Sequence, residues 1–141
     1  MYRKESIVLV MRRGETRDVM AEQLRERGYQ VACCDEHSKL ERCGEGTRVA
    51  MIITDLVLPE STGLFQLGAL AAKHPRALRL LLVPDGAHEI GEAAMAEQLT
   101  HLYLCKPVST ASLLSAIHVA NRFALRYHRR LRRGDVLQMV A

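Results

Sequence analysis

Short unbroken apolar runs alternate along this chain with longer stretches in which apolar residues recur every three or four positions. Ile7 to Val10 is the first run, the pattern of a strand covered on both faces. Thr16 to Arg27 then sets Val19, Met20 and Leu24 on one face, which predicts a helix stopped by Gly28. Tyr29 to Cys34 is a second strand, and Asp35 to Arg42 reads as a short polar helix broken by Gly44 and Gly46. Val49 to Thr54 is the third strand, ending at Asp55, and Pro59 and Gly63 lead into a helix over Leu64 to Lys73 that stops at His74-Pro75. Leu78 to Val83 is the fourth strand, closed by the turn Pro84-Asp85-Gly86. A weaker helix over Glu89 to Leu99 and a fifth strand, Leu102 to Cys105, lead to Lys106-Pro107. Ser109 is a good N-cap for the last helix.

Five strands alternating with five helices predict an α/β domain, a doubly wound parallel sheet with helices on both faces. Ligands of such sheets collect beyond the carboxyl ends of the strands. Asp55 and Lys106 end the third and fifth strands, so both fall at one edge, beside the loop carrying Arg12 and Arg13. Asp55 read alone leaves two alternatives open, an acting carboxylate or an acid that merely starts a loop.

Composition narrows this picture. A chain of 141 residues, 48% hydrophobic, is one domain with a sizeable core, and no apolar run approaches the ~20 residues of a membrane span. The N-terminus is too polar for a secretory signal. Cys33, Cys34, Cys43 and Cys105 make no CxxC or metal-ligand spacing, so buried, reduced thiols and a cytoplasmic location are expected. The net charge of +4 is local: six arginines and one aspartate follow Asn121, and the preceding 120 residues carry −1. A nucleic-acid surface spread over the domain is therefore not expected.

Two segments together resemble the receiver domain of two-component response regulators. Asp55, Pro59, Gly63-Leu64 and Leu67 are similar to the family's D-x-x-x-P-x-x-x-G-L-x-x-L around its phosphoacceptor. Tyr103 and Lys106-Pro107 are similar to its aromatic residue and K-P at the fifth strand, and Leu113, Leu114 and Ile117 continue the likeness. The resemblance covers roughly residues 5–125. It implies a (βα)5 flavodoxin-like fold with strand order 2-1-3-4-5, a phosphoacceptor position at Asp55, and a phosphate and switch site at Lys106, Tyr103 and Val83. Its partners would be a histidine kinase or another signalling protein, and it implies no enzyme activity of its own.

The departures from the family pattern are chemical. The acidic pair that holds Mg²⁺ in the family falls on Met11 and Arg12, with Arg13 where a third acid often stands, and the Thr/Ser position falls on Val83. Mg²⁺ binding is expected to be weak or absent, and no cofactor is expected. Two readings follow. Arg12 or Arg13 replaces the metal and pairs with Asp55 beside Lys106, giving a phosphorylation-independent protein–protein interaction domain. Alternatively, Asp55 remains a functional phosphoacceptor, with arginine neutralising the charge.

The remaining candidates carry less. His37, His74, His88, His101, His118 and His128 share no metal spacing, and with the Asp35/Glu36 pair they read as solvated or helix-capping. A Gly-rich dinucleotide loop is missing after the first strand, and the two Phe and four Tyr suggest no flavin sandwich. In the last helix Leu113, Ile117, Ala120, Ala124, Tyr127 and Leu131 follow the 4-3 spacing of a coiled-coil seam, running to a stop at Gly134. Residues 1–122 thus read as the receiver-like domain and 123–141 as a basic helical extension. That extension is either a dimerising connection towards an output domain, a basic helix for an anionic partner, or a solvated end.

Overall fold

The computed structural model of the chain describes residues 5–35, 42–59 and 61–132, with residue 5 and residues 123–132 as backbone. Its elements run β1 (Glu5–Val10), α1 (Glu15–Glu26), β2 (Gln30–Cys34), β3 (Arg48–Asp55), α2 (Gly63–Lys73), β4 (Leu78–Val83), α3 (His88–Ala96), β5 (Leu102–Cys105) and α4 (Thr110–Arg132). All five strands are parallel, in the order β2-β1-β3-β4-β5. The polar helix expected over Asp35 to Arg42 lies largely outside the described residues, as do Glu36, His37, Glu60 and Gly134.

The apolar runs are continuous because each strand feeds two cores. Ile7 and Leu9 of β1 pack with Met51 and Ile53 of β3 and Leu80 and Leu82 of β4 under α1 and α4. Val8, Val10 and Ile52 point the other way, towards Leu67 and Leu70 of α2. Leu81 and Val83 join Ala94 of α3 in a third cluster. Alternation along a pleated strand divides one apolar run between two helical layers.

The helix ends show local chemistry at work. Two helices close with the same pair of hydrogen bonds. After α1, Gly28 N donates to Arg25 O and Tyr29 N to Leu24 O, with Gly28 at φ 93°. After α3, Gln98 N donates to Met95 O and Leu99 N to Ala94 O. Gln98 holds φ 62° there without being glycine, so α3 ends at Ala96 rather than continuing to Leu99 as its pattern predicts. Ser109 caps α4 as expected, its Oγ accepting from Ser112 N at 3.0 Å.

Of the heptad positions in α4, Leu113, Ile117 and Ala120 are buried in the sheet core. The first half of that seam is therefore occupied by the domain itself. The backbone of α4 runs without a break through residue 122, where the sequence pattern divides domain from extension.

Three expectations are corrected. Cys34 and Cys43 are joined as a disulfide, with Cα atoms 6.7 Å apart, while Cys33 and Cys105 are free. Both paired cysteines pack in the apolar cluster around Val8 and Val10, a proximity that their spacing in the sequence does not disclose. His101 is buried rather than solvated; its Nδ1 accepts from Arg79 N at 2.9 Å. Burial, and then the charge of Arg79, lower its pKa to about 4. Asp35 is buried too, and receives the Arg13 guanidinium at 3.2 Å.

Candidate functional site

The site forms at one edge of the sheet, beyond the carboxyl ends of β1, β3 and β5. Asp55 is the last residue of β3, in register with Leu82, and its side chain is only 8% exposed. A carboxylate this buried needs partners. Lys106 supplies them: its Nζ donates to Oδ2 at 2.8 Å and stands 2.8 Å from Oδ1. Val57 N adds a third contact, donating to Oδ1 at 3.1 Å. Lys106 is held in place by its own backbone, which extends the β4–β5 ladder through Lys106 N to Val83 O at 2.8 Å, before a cis bond to Pro107.

Gly63 is required where it stands. Its N donates to Leu56 O at 2.8 Å, and a Cβ there would overlap the carbonyl of Asp55 and the Cα of Leu56. The first turn of α2 thus presses directly on the backbone of the site. Thr62 caps that turn, its Oγ1 accepting from Phe65 N at 3.3 Å.

A cavity of about 380 Å³ opens beside Asp55. Its walls include Met11 and Arg12 at the end of β1, Glu15 and Arg17 of α1, Val57 and Lys106. Met11, one of the two positions matching the family's acidic pair, turns its side chain into the core under α1 and α4. Arg12 is exposed and has no ion pair or hydrogen bond among the described residues, and Arg13 is engaged with Asp35. Neither arginine pairs with Asp55, which corrects that part of the sequence reading. Lys106 already occupies both carboxylate oxygens, and the β1 loop directs Arg13 to the end of β2.

The other two switch positions stand apart from the cavity. Val83 is fully buried with Leu81 and Ala94. Tyr103 lies against Gly91 of α3, where a Cβ would overlap its ring. Its hydroxyl donates to Glu92 Oε1 at 2.8 Å and lies 3.2 Å from His88 Nδ1. A phenol has one proton, so His88 must be the donor in the second contact. The bond to Glu92 is the main cause of a raised Tyr103 pKa. Arg17 was not legible as a site residue in the sequence; the side chain enters the cavity wall from the first turns of α1, its Nη1 3.4 Å from Met11 O.

No protein-family model and no curated protein sequence matches the chain. Solved structures do. A receiver domain protein of response regulators from Clostridium thermocellum superposes with a TM-score of 0.68 at 23% identity, over 86% of this chain and 98% of that one. The fold is that of receiver domains. An adenylate cyclase from Rhodopirellula baltica gives a TM-score of 0.78 at 17% identity, over 92% of this chain and 98% of its own. NtrX from Brucella abortus gives 0.75 at 19% identity, covering 93% of this chain but only 29% of the longer NtrX chain. Identities this low carry the architecture and leave the chemistry to the residues themselves.

Proposed function

We propose that this chain is a receiver-like signalling module that acts by protein–protein contact and does not depend on Mg²⁺-assisted phosphorylation. The observation that carries this reading is the closed pair of Asp55 and Lys106, with both carboxylate oxygens within 2.8 Å of one ammonium. Phosphoryl transfer to an aspartate needs the attacking oxygen free and the charge on the phosphoryl group neutralised as it moves. Mg²⁺ does this through carboxylate and water oxygens. The residues present do not fit it: one would-be ligand is the apolar Met11, the other is the cation Arg12, and Asp55 already faces a lysine. Val83 offers no hydroxyl to a phosphoryl oxygen.

A histidine kinase, another signalling protein or an output domain is the partner class, with self-association through the far half of α4. Nucleic acid is not a partner of this domain, which acts by binding and not as an enzyme. No described helix is long and apolar enough to cross a membrane.

The test is to incubate the domain with acetyl phosphate or beryllofluoride, with and without Mg²⁺, and to follow intact mass and amide NMR shifts. The expected result is no Mg²⁺-dependent adduct. A stable, metal-dependent adduct on Asp55 would overturn the reading in favour of a functional phosphoacceptor.

A further inference from the structure

We propose that the cavity beside Asp55 binds a phosphate-bearing small molecule non-covalently and without a metal, held by Arg12 and Arg17. This rests on the reading above, because a working Mg²⁺ site would claim the same space.

The cations around the cavity differ in what they already do. Lys106 neutralises Asp55, and Arg13 lies outside the cavity wall against Asp35. Arg12 and Arg17 both line the cavity, and neither has an anionic partner among the described residues. Arg17 is the more telling of the two. Its Nη1 makes one long contact, 3.4 Å to Met11 O, and its Nε is buried with no acceptor among the described residues. A buried donor without an acceptor is destabilising, and buried polar groups nearly always have a partner.

Two guanidinium groups on one cavity suit a phosphate better than a single carboxylate. Each offers a planar fork of donors, and a phosphate has enough oxygens to meet both. Of the two acids on the wall, Asp55 is neutralised by Lys106, and Glu15 is exposed in the first turn of α1, free to turn to solvent. The volume, about 380 Å³, lies in the usual range for small-molecule sites and exceeds what an inorganic ion fills. Met11 and the half-exposed Val57 supply apolar wall for an organic remainder.

The experiment uses the full 141-residue chain in EDTA, titrated with sodium phosphate and, separately, with phenyl phosphate, at ionic strength held constant with sodium chloride. Amide NMR shifts at Gly14, Glu15, Thr16, Arg17 and Val57 report occupancy. Saturable shifts are expected for both probes, with phenyl phosphate binding more tightly. Arg12→Gln and Arg17→Gln should each weaken binding by about tenfold or more. Arg17→Lys, which keeps the charge and loses the fork, should weaken it as well, and Arg13→Gln should bind as the parent does. Dispersed amide spectra establish that each variant is folded. The proposal is overturned if chloride produces the same shifts, if neither phosphate saturates, or if the Arg12 and Arg17 variants bind unchanged. The two readings fail separately. A mass gain of one phosphoryl group with acetyl phosphate and Mg²⁺ overturns the proposed function, whereas absence of saturable shifts in EDTA overturns only the anion site.

Discussion

Removing Lys106 tests the ion pair on which the candidate site is built. Lys106→Met keeps most of the aliphatic stem and deletes the charge. It leaves the Asp55 carboxylate, 8% exposed, with Val57 N–H as its remaining described donor. Breaking a fully buried pair costs about 3–5 kcal/mol, while a surface pair is worth about 1 kcal/mol or less. Lys106 is 35% exposed, so solvent screens the pair, and an intermediate cost of about 2 kcal/mol is expected. For a domain of this size that corresponds to a Tm lowered by roughly 6 °C.

Asp55→Asn is expected to cost less, about 1 kcal/mol, because the freed ammonium can reach water. The double variant removes both charges, so its cost should fall short of the summed single costs by about 1–2 kcal/mol. Urea unfolding at pH 7 of the four proteins, fitted with a common m-value, measures that coupling directly. If the costs add to within about 0.5 kcal/mol, the two side chains do not interact in solution and the closed-pair reading is wrong.

Three further outcomes are expected. His101 is held neutral, its pKa lowered from 6.5 to about 4, so the unfolded chain binds the proton first and stability must fall as pH drops from 6.5 towards 4. His101→Asn, which keeps an acceptor for Arg79 N, should remove up to about 3 kcal/mol of that acid sensitivity in urea titrations at pH 7 and pH 4; equal losses in both proteins would refute the assignment. Gly63→Ala forces a Cβ onto the Asp55 carbonyl and should cost about 3 kcal/mol or more, with amide shifts at Asp55 and Leu56; a stability within about 0.5 kcal/mol of the parent would mean that α2 does not press on the site. Sedimentation of the chain against a version ending at Arg122 should show a dimer lost on truncation, and two monomers at high concentration would end the coiled-coil reading of residues 123–132.

The strands were legible because burial on both faces leaves its mark in each residue of a short run. Ile7 to Val10 and Leu78 to Val83 need no partner to be recognised. The end of α3 was less so: Gln98 adopts the left-handed turn that Gly28 makes after α1, and glutamine carries no such signal. The misread polar residues share one cause. Asp35 and His101 are polar but buried, and the contacts they make, with the Arg13 guanidinium and with Arg79 N, depend on the packed strands rather than on neighbours in the chain. The site was half legible for a similar reason. Strand ends located Asp55 and Lys106, and side-chain direction decided the rest: Met11 turns into the core, Val83 is sealed under α3, Tyr103 is pinned to Glu92, and Arg17 enters the cavity from a helix surface that reads as solvated.

Stability by itself does not account for the Asp55–Lys106 pair. Well-packed apolar residues of similar volume often replace a buried ion pair at no cost. What an ionic pair offers that an apolar contact does not is a charge pattern a ligand can reorganise. Lys106 lines the same cavity as Arg12 and Arg17, so an anion held by the arginines would draw on the same ammonium that neutralises Asp55. Binding there would loosen the carboxylate and, through the Gly63 contact on its carbonyl, bear on the start of α2. The Asp55→Asn/Lys106→Met double variant separates these roles. If the pair only stabilises the fold, the double variant should titrate with phosphate as the parent does; if it transmits occupancy, the shifts at Gly14 to Arg17 should persist while those at Gly63 to Phe65 disappear.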